Sequence, residues 1–194
     1  MPRYGLDGID LDVEDSPDET PITGRIDDIV KLIQQLRSDF GIGFIITLAP
    51  VAKALSDDDG DNISGFSYTD LEANCGGDID WYNAQFYSGY GSMGNASDYL
   101  DKLENFPLDP RRLVAGTLSN GANGSTGWVE LDSIKSTMRD LLATYPDSFG
   151  GIAAWEYYNS NPDTDEPWTW AAVMNLAMVN WREVLLAARY SNLD

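Results

Sequence analysis

Apolar residues in this chain follow two rhythms in turn, and their alternation predicts the fold. Five short runs have strand character: 6–13, 43–49, 79–87, 112–118 and 150–156. Two of them, Phe44-Ile-Ile-Thr-Leu-Ala49 and Leu113-Val-Ala-Gly-Thr-Leu118, are nearly continuous in apolar residues, the pattern of a parallel strand buried on both faces. Between the runs the spacing changes to three and four. Ile26, Ile29, Val30, Leu32, Ile33 and Leu36 predict an amphipathic helix, capped by Thr23 and stopped after Phe40 by Gly41. A short helix follows from Ser67 to Ala73, ended by Gly76-Gly77. Another runs from a cap at Ser97 to Phe106, closed by Pro107 and Pro110. Leu131, Ile134, Met138, Leu141 and Leu142 predict a fourth helix, to Tyr145. The last runs from Trp168 to Tyr190 and packs through Trp170, Val173, Met174, Ala177, Met178, Trp181, Val184 and Leu185. Strand alternating with helix is the signature of an α/β protein with a parallel sheet, here expected as one domain over 1–194.

The first strand departs from ordinary patterning. In Gly5-Leu-Asp-Gly-Ile-Asp-Leu-Asp-Val-Glu-Asp15, Ile9, Leu11 and Val13 share one face, and Asp10, Asp12 and Glu14 share the other. The apolar face is a core face. Three carboxylates in a row are not explained by packing. Like charges a few ångströms apart resist joint ionisation, so one of the three should keep a proton near neutral pH and could serve as a general acid. A solvated acidic strand end, or a hard-oxygen metal site, would give the same pattern. The third strand raises a similar question. Trp81, Asn83, Gln85 and Tyr87 alternate to one side, and buried amides are costly unless paired or bound to a ligand.

Composition narrows the chemistry. The chain has 194 residues, 43% of them hydrophobic, with six Trp, ten Tyr and six Phe, enough for a sizeable core. Its net charge of −20 argues against nucleic acid and anionic membranes as partners. There is no His, which removes His triads and His metal sites. The single cysteine, Cys75, has no His to activate it and is expected to be buried and inert. No apolar run reaches membrane-spanning length, and the N-terminus has no signal-peptide pattern. Three glycosylation sequons, at Asn62, Asn95 and Asn123, hint at secretion. The acidic loop Asp57–Asn62 fails the calcium-loop test. Counted from Asp57, the sixth residue is Asn62 rather than Gly, and the twelfth is Tyr68 rather than Glu. No metal or other cofactor is expected.

Asp7-Gly-Ile-Asp10-Leu-Asp12-Val-Glu14 resembles the D-x-x-D-x-D-x-E signature of glycoside hydrolase family 18, which contains chitinases and endo-β-N-acetylglucosaminidases. In that family the motif is the fourth strand of a (β/α)8 barrel. The resemblance implies Glu14 as general acid, and Asp12 as the group orienting the substrate's 2-acetamido group. Asp10 becomes the buried partner of Asp12, and Asp7 is structural. Phe44–Pro50 resembles the fifth strand of the fungal endoglycosidase branch, with Leu48-Ala49-Pro50 at the active-site rim. Ala84-Gln85-Phe86-Tyr87 resembles the sixth-strand motif, implying that Tyr87 holds the acetamide oxygen and that Gln85 and Asn83 contact the substrate. The next residue is often Asp or Asn in the family and is Ser88 here. The loop after it, Ser88–Gly94, is flexible and aromatic, suited to lining a sugar site or to an ordinary surface. Phe149–Asn159 resembles the eighth strand, so Trp155 is expected as the hydrophobic floor under the reacting sugar, with Glu156 as a second polar contact.

The resemblance covers nearly the whole chain but only the later part of a family barrel, so a partial barrel of about five parallel strands is expected, lacking three βα units. Five strands leave two edges, so either a dimer covers them or the chain is marginal alone. The implied reaction cleaves β-1,4 bonds between N-acetylglucosamines with the substrate's own acetamide as nucleophile. The substrate is then the N-glycan chitobiose core or, as the close alternative, chitin. A glycan-binding relative without catalysis, or a fragment without function, are readings of another kind. For a full-length relative, secretion is expected.

Overall fold

The computed structural model describes residues 5–14, 22–56, 62–106 and 108–191, and the side chains of these apart from 22–23 and 185–191. Five strands form the sheet: β1 (Gly8–Leu11), β2 (Ile45–Leu48), β3 (Trp81–Gln85), β4 (Leu113–Leu118) and β5 (Ile152–Trp155). Between and after them come α1 (Ile22–Phe40), α2 (Tyr68–Cys75), α3 (Ser97–Asn105), α4 (Leu131–Thr144) and α5 (Trp168–Ser191). The strands lie in sequence order, and every neighbouring pair is parallel. Each connection therefore carries a crossover of the kind a parallel sheet requires. The result is a parallel α/β sheet, as the alternation of patterns predicts, curled into the half-barrel that the family resemblance implies.

One face of the sheet is covered by helices and the other is concave. Ile46, Leu48, Tyr82, Ala84, Leu113 and Ala115 point toward the helices and are almost fully buried. They pack with Ile33 of α1, Leu71 of α2, Tyr99 of α3, Ile134, Met138, Leu141 and Leu142 of α4, and Trp170 and Met174 of α5. Tyr99 donates its hydroxyl to the Leu113 carbonyl at 2.7 Å, so its burial leaves no polar atom unsatisfied. Below the sheet, Arg37 of α1 ties the strand entrances together. Its guanidinium donates to the carbonyls of Phe44 and Asp78, each at 2.6 Å, and to Asp80 Oδ2 at 3.1 Å. Asp80 Oδ2 in turn accepts the Ile46 amide at 2.7 Å. A second tie pairs Arg112 with Glu72, which also accepts the Tyr82 hydroxyl at 2.7 Å.

Several expectations need correction. Helix α1 begins at Ile22, so Thr23 lies inside it rather than capping it, and the preceding residues 15–21 lie outside the described residues. The residue at the start of α3 is Ala96, and Ser97 is already helical. The side chain of Asn95 takes the capping work by accepting the Ser97 amide at 2.9 Å. Ser67, by contrast, caps α2 by accepting from the Asp70 amide at 3.1 Å. Leu32 of α1 and Val184 of α5 belong to the apolar patterns of their helices yet are exposed, Val184 on the rim of a hollow between α4 and α5. The side chain of Leu185, Pro107 and the acidic residues 57–61 lie outside the described residues.

Candidate active site

The concave face collects the polar residues that the period-two pattern sets aside. Register places Asp10 of β1 beside Thr47 of β2, and Thr47 beside Trp81 of β3. The Thr47 hydroxyl donates to Asp10 Oδ1 at 2.5 Å, and Asn83 Nδ2 reaches the same oxygen at 3.2 Å. The Trp81 indole N–H donates to Asn83 Oδ1 at 3.0 Å. Beyond the end of β1, Asp12 and Glu14 converge on one amide: Gln85 Nε2 donates to Glu14 Oε1 at 2.8 Å and to Asp12 Oδ1 at 3.4 Å. The Ala49 carbonyl accepts from the same nitrogen at 2.8 Å, which places the end of β2 at the rim of the site, as expected. The Gln85 backbone amide donates to the Pro50 carbonyl at 2.8 Å and fixes the residue further. Gln85 is only 7% exposed, and these acceptors meet the cost of burying its amide.

Asp12 sits at the centre of the row, and its carboxyl is pushed up from 3.8 to about 6. Partial burial is the largest cause, followed by the charges of Glu14 and Asp10 and a hydrogen bond with Glu14. The row therefore keeps a proton well above the usual carboxylate range, as the sequence pattern suggests. Asp10 differs from expectation in one respect. It is open to solvent rather than buried, because β1 is an edge strand here and the concave face is not closed over it. Among the described residues, no group of three or more carboxylates or thiols is arranged to hold a metal ion.

Tyr87 follows β3 and is partly buried beside the row. Burial, then the charges of Asp12 and Glu14, push its hydroxyl well up, so the phenol stays protonated. Its backbone is held by the loop after β4. The Ser88 amide donates to the Thr126 carbonyl at 2.9 Å, and Gly127, at φ +89°, approaches so closely that a Cβ there would lie 2.8 Å from the Tyr87 Cα. Beside Asp12 and Glu14 lies a hollow of about 500 Å³, lined also by Val13, Arg25 and Ile29.

Trp155 ends β5 on the same concave side and is 49% exposed, so it is not a core tryptophan. Its position is set by polar contacts to the main chain, which sequence reading missed. The Trp155 carbonyl accepts the Ser119 amide at 2.8 Å and Asn123 Nδ2 at 3.2 Å. The Glu156 carbonyl accepts the hydroxyls of Ser119 at 2.6 Å and Ser160 at 2.8 Å. Asn159 Nδ2 closes the clamp by donating to Asn123 Oδ1 at 2.6 Å. The signal available in the sequence was the run of Ser and Asn at 119–125. Thr47 was likewise missed, although it is the one polar residue in the Phe44–Ala49 run.

A parallel half-barrel with an acid row at the C-terminal ends of its strands is the architecture of the (β/α)8-barrel glycoside hydrolases. No protein-family model matches the chain, and no curated protein sequence does. Solved structures do. A fungal endo-β-N-acetylglucosaminidase of glycosyl hydrolase family 18 is 44% identical over 90% of this chain and 58% of its own, with a TM-score of 0.79. The chitinase ChiC of Aspergillus fumigatus is 43% identical over 91% of this chain and 60% of its own, with a TM-score of 0.73. A family 18 chitinase of Pseudoalteromonas aurantia shares the fold at 23% identity and a TM-score of 0.69. Over nine-tenths of its own length, then, the chain is similar to a member of glycoside hydrolase family 18. It spans about three-fifths of the length of these relatives.

Proposed function

We propose that the chain carries the acid-bearing part of a retaining, substrate-assisted glycosidase that cleaves β-1,4 bonds between N-acetylglucosamine residues. The observation that carries this reading is the carboxyl row in which Asp12 holds its proton to about pH 6 beside Glu14. Glu14 protonates the leaving glycosidic oxygen. The substrate's acetamide oxygen attacks the anomeric carbon, the glycosidic bond breaks, and an oxazolinium ion forms. Asp12 faces the acetamide N–H and the positive charge that develops there. Tyr87, protonated at any working pH, donates to the acetamide oxygen. Glu14, now ionised, takes a proton from the water that opens the ring. Gln85 holds the carboxyls of Asp12 and Glu14 side by side, and half-exposed Trp155 offers an aromatic face to the sugar's C–H bonds. Glu156 and Asn83 complete the polar contacts. The chain itself supplies no nucleophile in this scheme.

The substrate we favour is the chitobiose core of an N-glycan, on the likeness to the fungal endo-β-N-acetylglucosaminidase. The nearly equal likeness to a chitinase supports chitin as the second reading. Action outside the cell would suit either glycan. The test is glycan release from a high-mannose glycoprotein and from a chitin oligomer, by the chain and by Glu14→Gln. The variant keeps an oxygen to accept from Gln85, so its stability should stay within about 0.5 kcal/mol of the parent while release is lost. Wild-type turnover in the variant would remove Glu14 from its role. Glycan binding without release by the parent chain would favour a lectin-like function.

A further inference from the structure

The contacts around Asp10 contain a directional element that the scheme above does not use. An asparagine side chain can present either its oxygen or its NH2 to a neighbour, and rotation by half a turn exchanges them. Asn83 lies between two partners with opposite demands. The Trp81 indole is a donor only, and it approaches Asn83 Oδ1 at 3.0 Å. The other end of the amide, Nδ2, then faces Asp10 Oδ1 at 3.2 Å, an oxygen that already accepts the Thr47 hydroxyl at 2.5 Å. Asp10 thus meets a donor from β2 and a donor from β3. Turning the amide round would set an N–H against the indole N–H and an oxygen against the Asp10 carboxylate, two repulsive contacts in place of two hydrogen bonds.

We propose that Trp81 is a positioning residue that acts through Asn83, its indole N–H fixing the carboxamide so that Asp10 is met by a donor. The proposal rests on the glycosidase reading for its catalytic meaning, but not for its geometry. Asp10 is one of the charges that keep the proton on Asp12. The other groups facing Asp12 are Glu14 on its own segment, Arg25 of α1 across the shared hollow, Tyr68 of α2 and Tyr87 after β3. Of these, none is placed by Asn83. With the indole N–H removed, the carboxamide loses the anchor on its oxygen and holds its N–H on Asp10 less firmly, which leaves the Thr47 hydroxyl as the firmer of the two donors to that carboxylate. Asp12 then faces a less neutralised neighbouring charge and holds its own proton to higher pH.

The experiment is a pH titration of the full chain labelled with ¹³C at the aspartate carboxyls, the Asp12 signal being assigned with Asp12→Asn. Trp81→Phe keeps the ring and removes the N–H. Asn83→Ala removes the relay by a different route, and Trp168→Phe, at an exposed position, is the control. The Asp12 midpoint should rise by about 0.3 pH units or more in Trp81→Phe and in Asn83→Ala, and stay in place in Trp168→Phe. The double variant should move no further than either single one, because one relay is broken once. An unmoved midpoint in folded Trp81→Phe overturns the proposal. So does a shift from Trp81→Phe that persists in the Asn83→Ala background, since the indole would then act by another path. Where the parent chain releases glycan, Trp81→Phe should lower kcat about tenfold with KM unchanged and move the pH profile with the Asp12 midpoint. If it releases none, the glycosidase reading fails while the titration still decides the role of Trp81.

Discussion

Asp12 shows how a single residue can oppose the fold that holds it. Its carboxyl binds a proton more tightly in the folded chain than in the unfolded one, with midpoints of about 6 and 3.8. Between those values the native state takes up the extra proton, so stability falls as pH rises from about 4 to 6 and stays lower above. Asp12→Asn should therefore stabilise the chain at pH 8 and have little effect at pH 4. Water screens this partly open site, which limits the gain to about 1 kcal/mol. Denaturant unfolding at the two pH values checks this, and an equal effect at both would mean that the Asp12 proton is not shared with the row. The acid row was legible in the sequence because period two depends only on the strand itself. The fixing of Asn83 was not, because it joins a neighbour on its own strand to Asp10 of β1, 73 positions away in the chain. Trp81 looked like one more aromatic on an aromatic strand. The side chains that clamp the main chain at Trp155 were hidden for the same reason: Ser119 and Asn123 meet residues more than thirty positions away.

At the scale of elements, the helices and strands followed from periodicity and the ends of α1 and α3 did not. Ser97 was expected to cap α3, yet Asn95, two residues earlier, holds the first turn. Cap choice depends on where the preceding loop leaves the chain, which local pattern does not encode. Arg37 adds a polar anchor to the apolar packing of α1 at the strand entrances. This one guanidinium satisfies three carbonyls and a carboxylate that itself holds the β2 backbone. Arg37→Ala should cost about 2–3 kcal/mol by leaving buried acceptors unmet, whereas Lys31→Ala, in an exposed helix pair, should cost less than about 0.5 kcal/mol. Equilibrium unfolding of the two variants measures the difference. Equal costs would show that water replaces the guanidinium freely.

For the molecule as a whole, the sheet and its helices agree with the alternation of patterns, and the disagreement lies at the two outer faces. Leu32 on α1 and Leu176, Val179 and Val184 on α5 carry core-type residues to the surface. A helical period reports that a face is apolar; it cannot report whether a neighbour covers that face in the folded chain. Between α4 and α5 a hollow of about 650 Å³ opens beside Leu176 and Val184. A native chain with these surfaces should bind the hydrophobic dye ANS, and Leu176→Glu with Val184→Lys should reduce the signal while leaving the unfolding midpoint nearly unchanged. Fluorescence titration of both proteins is the check, and undiminished binding in the variant would place the exposed apolar surface elsewhere.

The acid row hangs on one of the two edge strands of the sheet. Among the described residues, strand β1 pairs with β2 alone, through four residue pairs, whereas β3 is held on both sides. Opening of β1 therefore breaks one ladder, and opening of β3 breaks two. In hydrogen exchange the amides of Ile9 and Leu11 should lose protection well before those of Tyr82 and Ala84. Whatever chemistry the row performs, its lifetime is then set by local fraying and not by global unfolding: on warming, the row can come apart while the rest of the sheet still stands.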